Sequence, residues 1–299
     1  MAATEKPLEV LVIGAGLMGS QIAVDWAAAG HHVTVLARDR EAAAARLDAA
    51  LELLRRLRPG AEAPATGPRL ARWEELDPVE VDLAIESVSE DLGLKAELLG
   101  RVADGGPRAI LASNTSSIRI TELGAAVGDP GRVIGLHYWN PPLLMPAVEV
   151  IRGEETTVAA ERTLVELLER AGRIPIVARR DVPGFVWNRL QAALLREALW
   201  LVDNGVATPE TVDAAVRHGL APRASHTGVF DTVALGGTPV WNALMANVVP
   251  VLSNATDVGD LEDRLPDRDP DRLRRLVAER DAELAARMRA LVDGEESAR

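Results

Sequence analysis

Leu8-Glu9-Val10-Leu11-Val12-Ile13-Gly14-Ala15-Gly16-Leu17-Met18-Gly19 is the stretch that decides the fold. An apolar run of strand length ends in a glycine loop, and an amphipathic stretch follows as far as Ala29, where Gly30 stops it. In such a loop Gly14 permits a tight turn, Gly16 lets the backbone come close to a pyrophosphate, and Gly19 lets helix and strand pack closely. The helix N-terminus behind the loop offers unpaired N–H groups and a positive dipole end to phosphate. Gly14, Gly16, Leu17, Met18 and Gly19 are therefore the first candidate cofactor-binding residues. A lone Gly-x-Gly-x-x-Gly is a weak signal, and its weight here comes from the strand before it and the helix after it.

Outward from this unit, residues 33–36 read as a second strand and 41–57 as a helix. Residues 59–68 are rich in Pro, Gly and Ala and read as a loop. Residues 81–85, 109–112 and 133–136 read as further buried strands, with helical stretches between most of them. Strands alternating with helices predict an α/β fold: a doubly wound parallel sheet of the Rossmann kind. After a helix at 156–171 and a last strand at 174–177, the break Asp181-Val182-Pro183-Gly184 ends the alternation. Beyond it the chain reads as helices at 186–202, 209–218 and 272–292. The expected division is thus a dinucleotide-binding domain over 1–183 and an all-α C-terminal domain over 184–299. The charge-dense tail, 261–299, reads as a solvated helix or a dimer arm.

Bulk properties narrow the function classes. The 299 residues hold 47% hydrophobic residues and no cysteine. A buried core is therefore expected, disulfides and thiolate chemistry are excluded, no metal ligand set is assigned, and the composition fits a reducing cytoplasm. No signal peptide is read at the N-terminus, and no apolar run reaches the roughly 18 residues of a membrane span. A formal net charge of −12 argues against nucleic acid as a partner, because affinity for the phosphate backbone comes from clustered cations. The basic residues are nearly all arginine, and lysine occurs only as Lys6 and Lys95.

NAD-binding loops of this type carry an acidic residue at the end of the second strand, about 20 residues on, which accepts the ribose hydroxyls. Here that slot is Ala37, and Arg38 follows it. A guanidinium there can pair bidentately with a 2′-phosphate, which points toward NADP. Alternatively Asp39 takes the acid's role through a longer turn and Arg38 is merely exposed. Both readings stay open.

A second set of residues speaks for chemistry. His137 ends a predicted strand, where doubly wound sheets gather their functional groups. Histidine takes up a proton near neutral pH without a large shift. Glu149, on the next strand-like segment, can orient the ring and stabilise an imidazolium. Ser116 and Asn188 can hydrogen-bond a reacting oxygen. Taken singly, each has a bland alternative: His137 as a satisfied core residue, Asn114 and Ser116 as caps of the helix that follows.

Together these residues resemble the 3-hydroxyacyl-CoA dehydrogenase family over about residues 8–205. The stretches Glu86-Ser87-Val88-Ser89-Glu90, Ser113-Asn114-Thr115-Ser116-Ser117, His137-Tyr138-Trp139-Asn140-Pro141, Val148-Glu149-Val150 and Pro183-Gly184-Phe185 follow the glycine loop in the family's order and with closely similar spacing. The resemblance implies an NAD(P)-dependent dehydrogenase with NAD as the usual cofactor. It casts His137 as general base paired with Glu149, Ser116 beside nicotinamide and substrate oxygen, and Asn188 as the substrate-side amide. It places Glu90, Lys95, Asn114 and Asn140 with the cofactor, and it implies a Rossmann domain, a helical C-terminal domain and a homodimer.

The chain also departs from the family's pattern. The helix that carries coenzyme A-contacting lysines in fatty-acid members reads Leu51-Glu52-Leu53-Leu54-Arg55-Arg56-Leu57-Arg58. Gly228-Val229 stands where beta-oxidation members usually have Gly-Pro, and Ser253-Asn254-Ala255-Thr256 resembles relatives acting on small hydroxy acids and ring alcohols. The expected substrate is a 3-hydroxyacyl thioester, on coenzyme A or a carrier protein, or else a free small hydroxy acid or ring alcohol. From a different class, a non-catalytic dinucleotide-binding protein on the same fold is the rival.

Overall fold

The computed structural model describes residues 6–57, 66–261 and 269–297. Arg58 and most of the expected 59–68 loop lie outside the described residues. One eight-stranded sheet runs in the order β3-β2-β1-β4-β5-β6-β7-β8. Strands β1 (Glu9–Ile13), β2 (His32–Leu36), β3 (Arg69–Ala71), β4 (Leu83–Glu86), β5 (Ile110–Ser113) and β6 (Val133–Tyr138) are mutually parallel. Strand β7 (Ala147–Arg152) folds back antiparallel on β6, and β8 (Ile174–Ala178) runs parallel to β7. The order reverses direction between β1 and β4. A doubly wound sheet opens its binding crevice at such a switch point, outside the carboxyl ends of the strands.

Helices α1 (Leu17–Ala28), α2 (Arg40–Leu57), α3 (Leu92–Gly105), α4 (Ile120–Val127) and α5 (Val158–Arg170) cover the sheet. Side chains alternate along β1: Val10 and Val12 join a core with Ile22, Leu47 and Leu164, whereas Leu11 and Ile13 join one with Leu99 and Leu123. The period of two thus sends α1, α2 and α5 to one face and α3 and α4 to the other. Both faces are covered, so β4 and β6 are buried at every position and read as unbroken apolar runs rather than as alternation. Strand β3 escapes a sequence reading because three residues, Arg69–Ala71, are too few to show a period. Its place is set by pairing with Thr34–Leu36 of β2.

A buried ion pair ties this unit together. Arg173, in the turn before β8, pairs with Asp25 of α1, with its Nε 3.0 Å from Asp25 Oδ2. The hydroxyl of Tyr138 donates to the same carboxylate at 3.2 Å. Burial pushes the Tyr138 phenol well above its ordinary value, and the Asp25 charge adds to the effect.

The described residues divide into two compact units: those up to Val186 together with those from Val277 on, and Trp187–Leu276. The break expected at Pro183 thus falls just before the second unit. That unit is helical: α6 (Trp187–Asp203), α7 (Pro209–Ala215), α8 (Ala221–Ala224), α9 (Val229–Gly236) and α10 (Thr238–Val248). Helix α11 (Pro270–Ser297) begins in it and ends in the first. Of the two readings of the tail, a solvated helix or a dimer arm, the solvated helix is qualified by residues 284–288 of α11. Met288 is buried, and Leu284 and Ala285 pack against the α1–α2–α5 side of the core. The apolar spacing 284, 285, 288 puts these side chains on one face, a signal diluted by the charges around it. Among the described residues no helix is long and apolar enough to cross a membrane.

Candidate active site

The segments that follow β1, β2, β4, β5 and β6 carry candidate site residues at the carboxyl edge of the parallel strands. After β1 comes the glycine loop. Gly14 has φ +104°, and a Cβ there would stand 2.6 Å from the Ser87 carbonyl oxygen. A Cβ on Gly19 would collide with the Gly14 carbonyl oxygen, so helix and strand meet here only because both residues are glycine. At Gly16 a Cβ would meet nothing within 4 Å. The loop is therefore packed on two sides and open on the third. The first turn of α1, Leu17 and Met18 included, carries no side-chain cap and no acidic residue. Uncovered N–H groups at a helix start fit an anionic group, as a dinucleotide pyrophosphate requires.

After β2 stands Ala37, then Arg38, which is exposed. One oxygen of Asp39 is spent within the chain, accepting from the Ala42 N–H at 3.0 Å at the start of α2. From the second turn of that helix, Arg46 Nη1 donates to the Ala15 carbonyl at 3.3 Å and brings a guanidinium to the glycine loop. Sequence reading missed Arg46, since an exposed arginine on a helix looks like any other until α1 and α2 are packed.

After β4 comes Glu86-Ser87-Val88-Ser89-Glu90. Glu86 is fully buried and accepts from the Lys95 ammonium at 2.8 Å, the Val88 N–H at 2.6 Å and the Ser113 hydroxyl at 2.6 Å. Lys95 is 1% exposed and also lies 3.2 Å from Glu90. Glu90 Oε1 accepts from the Thr115 hydroxyl at 2.6 Å and from the backbone N–H groups of Ser116 and Ser117 at 3.0 and 2.9 Å. Burial alone would raise this carboxyl, but the hydroxyls of Thr115 and Ser117 and the charge of Lys95 outweigh it and hold it at about 2. Glu90 thus clamps the loop that carries Ser116. Asn114 and Ser116 do not cap the next helix: α4 starts at Ile120 behind Arg119, without a side-chain cap. Instead Asn114 bridges two strand ends, accepting from the Tyr138 N–H at 2.9 Å and donating to the Ser87 hydroxyl at 3.3 Å.

His137 lies at the carboxyl end of β6, directly opposite Glu149 in the antiparallel register with β7. Paired residues of neighbouring strands project to the same face, which explains how side chains twelve apart in sequence meet. His137 Nδ1 is 2.7 Å from Glu149 Oε2. Glu149 is fully buried, and it also accepts from the Trp139 indole N–H at 3.2 Å and the Val186 backbone N–H at 2.9 Å. The Phe185 ring meets the imidazole edge-on at 5.8 Å between centroids. Asn140 follows β6 and is exposed, and Asn188 lies in the first turn of α6 in the second unit. Trp139 and Val186 as partners of Glu149 were invisible in the sequence, because neither residue type announces a carboxylate.

A buried histidine–carboxylate pair and a dinucleotide loop, both on one doubly wound sheet, are the equipment of a hydride-transferring dehydrogenase. Comparison with known proteins agrees. Residues 9–182 match the family model of the 3-hydroxyacyl-CoA dehydrogenase NAD binding domain, and 184–279 that of the 3-hydroxyacyl-CoA dehydrogenase C-terminal domain. The chain is 36% identical over 260 residues to 5-formyl-3-hydroxy-2-methylpyridine 4-carboxylate 5-dehydrogenase of Mesorhizobium japonicum, covering 84% of this chain and 83% of that one. It is 37% identical over 243 residues to L-carnitine dehydrogenase of Streptomyces coelicolor, covering 79% and 76%. A crystal structure of the former type of enzyme, described as an NAD+ dependent dismutase, superposes with a TM-score of 0.86 at 32% identity, over 96% of this chain and 99% of that one. The chain belongs to the 3-hydroxyacyl-CoA dehydrogenase family. It is an oxidoreductase acting on a CH–OH group with a nicotinamide dinucleotide.

Proposed function

We propose that His137 is the general base of this dehydrogenase and that Glu149 orients it. The observation that carries the assignment is the 2.7 Å contact between His137 Nδ1 and Glu149 Oε2 at the carboxyl end of β6. A carboxylate only accepts, so Nδ1 carries the hydrogen and Nε2 keeps its lone pair for the proton of a substrate hydroxyl. The bound nicotinamide supplies the hydride acceptor. Ser116 and Asn188 take, by their positions in the family pattern, the task of hydrogen-bonding the oxygen as it becomes a carbonyl. Glu90 holds the Ser116 loop, Lys95 acts through Glu90, and Asn140 lies with the nicotinamide. His137→Gln is expected to leave folding and cofactor binding intact and to lower kcat by at least about 100-fold, the scale of a positioned acid–base group. Near-full turnover in the folded variant would rule out the base.

We infer NADP as the preferred cofactor. Ala37 in the acid's slot, Arg38 beside it and Asp39 engaged at the start of α2 favour a 2′-phosphate over free ribose hydroxyls. Titration of the unmodified protein with both dinucleotides tests this, and a tighter NAD complex refutes it.

For the substrate we take the family's 3-hydroxyacyl thioester, on coenzyme A or a carrier protein, as the first reading. A free small hydroxy acid or ring alcohol is the second, and it rests on a specific observation. Arg55 and Arg56, where the family places coenzyme A contacts, both pair with Glu52, at 3.6 and 3.1 Å. The two relatives named above act on a pyridine carboxylate and on carnitine. Turnover of acyl-CoA, carrier-bound acyl groups and free hydroxy acids, each with both dinucleotides, separates the readings. The expected assembly is a homodimer through the second unit, whose helices expose Phe230, Leu235 and Val240.

A further inference from the structure

Trp139 lies beside the base, yet neither the general-base chemistry nor the cofactor loop explains it. Its indole Nε1 lies 3.2 Å from Glu149 Oε2, the oxygen that faces His137 Nδ1 at 2.7 Å. An indole N–H can only donate. A single carboxylate oxygen therefore receives a hydrogen from the ring and another from the tryptophan. We propose that Trp139 is a positioning residue that sets the strength of the base, acting through Glu149; this rests on the assignment of His137 as base.

The reasoning is electrostatic. A carboxylate facing an imidazole stabilises the positive charge of the protonated ring. A base trapped as imidazolium cannot take up the substrate proton. Hydrogen bonds donated to the carboxylate draw on the same negative charge and weaken its hold on the proton. Trp139 takes that share at the oxygen nearest the ring, and the Val186 N–H takes another at Oε1, 2.9 Å away.

Among the described residues, Glu149 is the charged group paired with the ring. On the β5 side, Asn114 is neutral and occupied with the Tyr138 N–H. Beyond it the charges of Glu86 and Lys95 are spent on each other at 2.8 Å. The side chain of Tyr138 points to Asp25 and Arg173, themselves an ion pair. Phe185, from the segment before α6, contributes only a ring edge.

The test is the pH dependence of kcat/KM in the full-length enzyme. A positioned base gives a rising acid limb. In Trp139→Phe the donor is gone and the ring remains, so Glu149 holds the imidazolium more tightly. The acid limb is expected to move to higher pH by roughly half to one unit, the effect of removing one hydrogen bond to a charged group. The dinucleotide Kd should change by less than about threefold, because the lost donor acts on Glu149 and not on the glycine loop. Trp139→Gln, which restores an N–H donor, is expected to bring the limb back toward its original place. If the Phe variant does not fold, Trp139→Met gives the same reading, since it also removes the donor and keeps apolar bulk. His137→Gln separates the two levels: if turnover survives there, the base assignment and this proposal fall together. If His137 proves essential and the limb stays put in a folded donor-less variant, the tuning role of Trp139 is refuted while the base stands.

Discussion

The two compact units solve the problem of burial in opposite ways. The sheet-containing unit hides charged groups and satisfies them: Asp25, Glu86, Lys95, Glu149 and Arg173 are all buried, each with a partner at hydrogen-bonding distance. In Trp187–Leu276, by contrast, Leu199 is the only buried hydrophobic side chain among the described residues. Phe230 is 88% exposed and Leu235 78%. Helices of this length with their apolar faces uncovered are not stable on propensity alone. The first unit carries its own core and can hold a rigid polar site; the second presents apolar surface of the kind that marks association.

The largest expected effect tests the first half of that contrast. Asp25→Ala leaves Arg173 buried without its carboxylate, and removing one partner of a buried pair costs about 3–5 kcal/mol. Thermal or urea denaturation reads the loss, and a cost under about 1 kcal/mol would show that water or another group takes over. A matched pair of truncations comes next. Leu164→Ala, in the core, is expected to cost about 2–5 kcal/mol. Leu235→Ala should leave the stability of the dissociated chain within about 0.5 kcal/mol. Similar costs at both sites would erase the distinction between the units.

Association is the third measurement. Sedimentation of the unmodified protein is expected to show a dimer, and Phe230→Asp combined with Leu235→Asp to shift it toward monomer with unchanged helicity by circular dichroism. A monomer at all concentrations in the unmodified protein removes the homodimer from consideration.

The smallest effect concerns Glu90. Its carboxyl is held at about 2, below its ordinary 4.5, so its ionised form stabilises the folded state at every pH above 4.5. That contribution is lost as pH falls from 4.5 toward 2. The Tm gap between the wild type and Glu90→Gln should be constant above pH 5 or so, narrow below it and vanish near pH 2. A gap that persists unchanged at pH 2 means the Ser116 loop does not depend on the ionised carboxylate.

Much of the fold and site was legible because the necessary signals are local. Gly14 and Gly19 are glycines for steric reasons that a linear motif records. His137 stands near the end of a strand that a hydrophobic run reveals, and Glu149 lies inside the next one. The glycine loop, the alternation of strand and helix, the helical second part and the family pattern that holds His137 and Glu149 all lie in the order of residues along the chain. Packing decided what depends on residues far apart in sequence. The three-residue β3 exists because β2 offers it an edge. Met288 of α11 is buried, and Leu284 and Ala285 near it pack against the core. Lys95, which reads as a possible cofactor contact, turns out enclosed between Glu86 and Glu90, and Arg46 reaches the glycine loop from another helix. Trp139 finds Glu149 only because β6 and β7 pair in one register. Local sterics and periodicity are written in the sequence one element at a time. Which hydrogen bond a buried carboxylate accepts is settled only when the strands are side by side, because an uncompensated buried charge excludes every arrangement that leaves it unpaired.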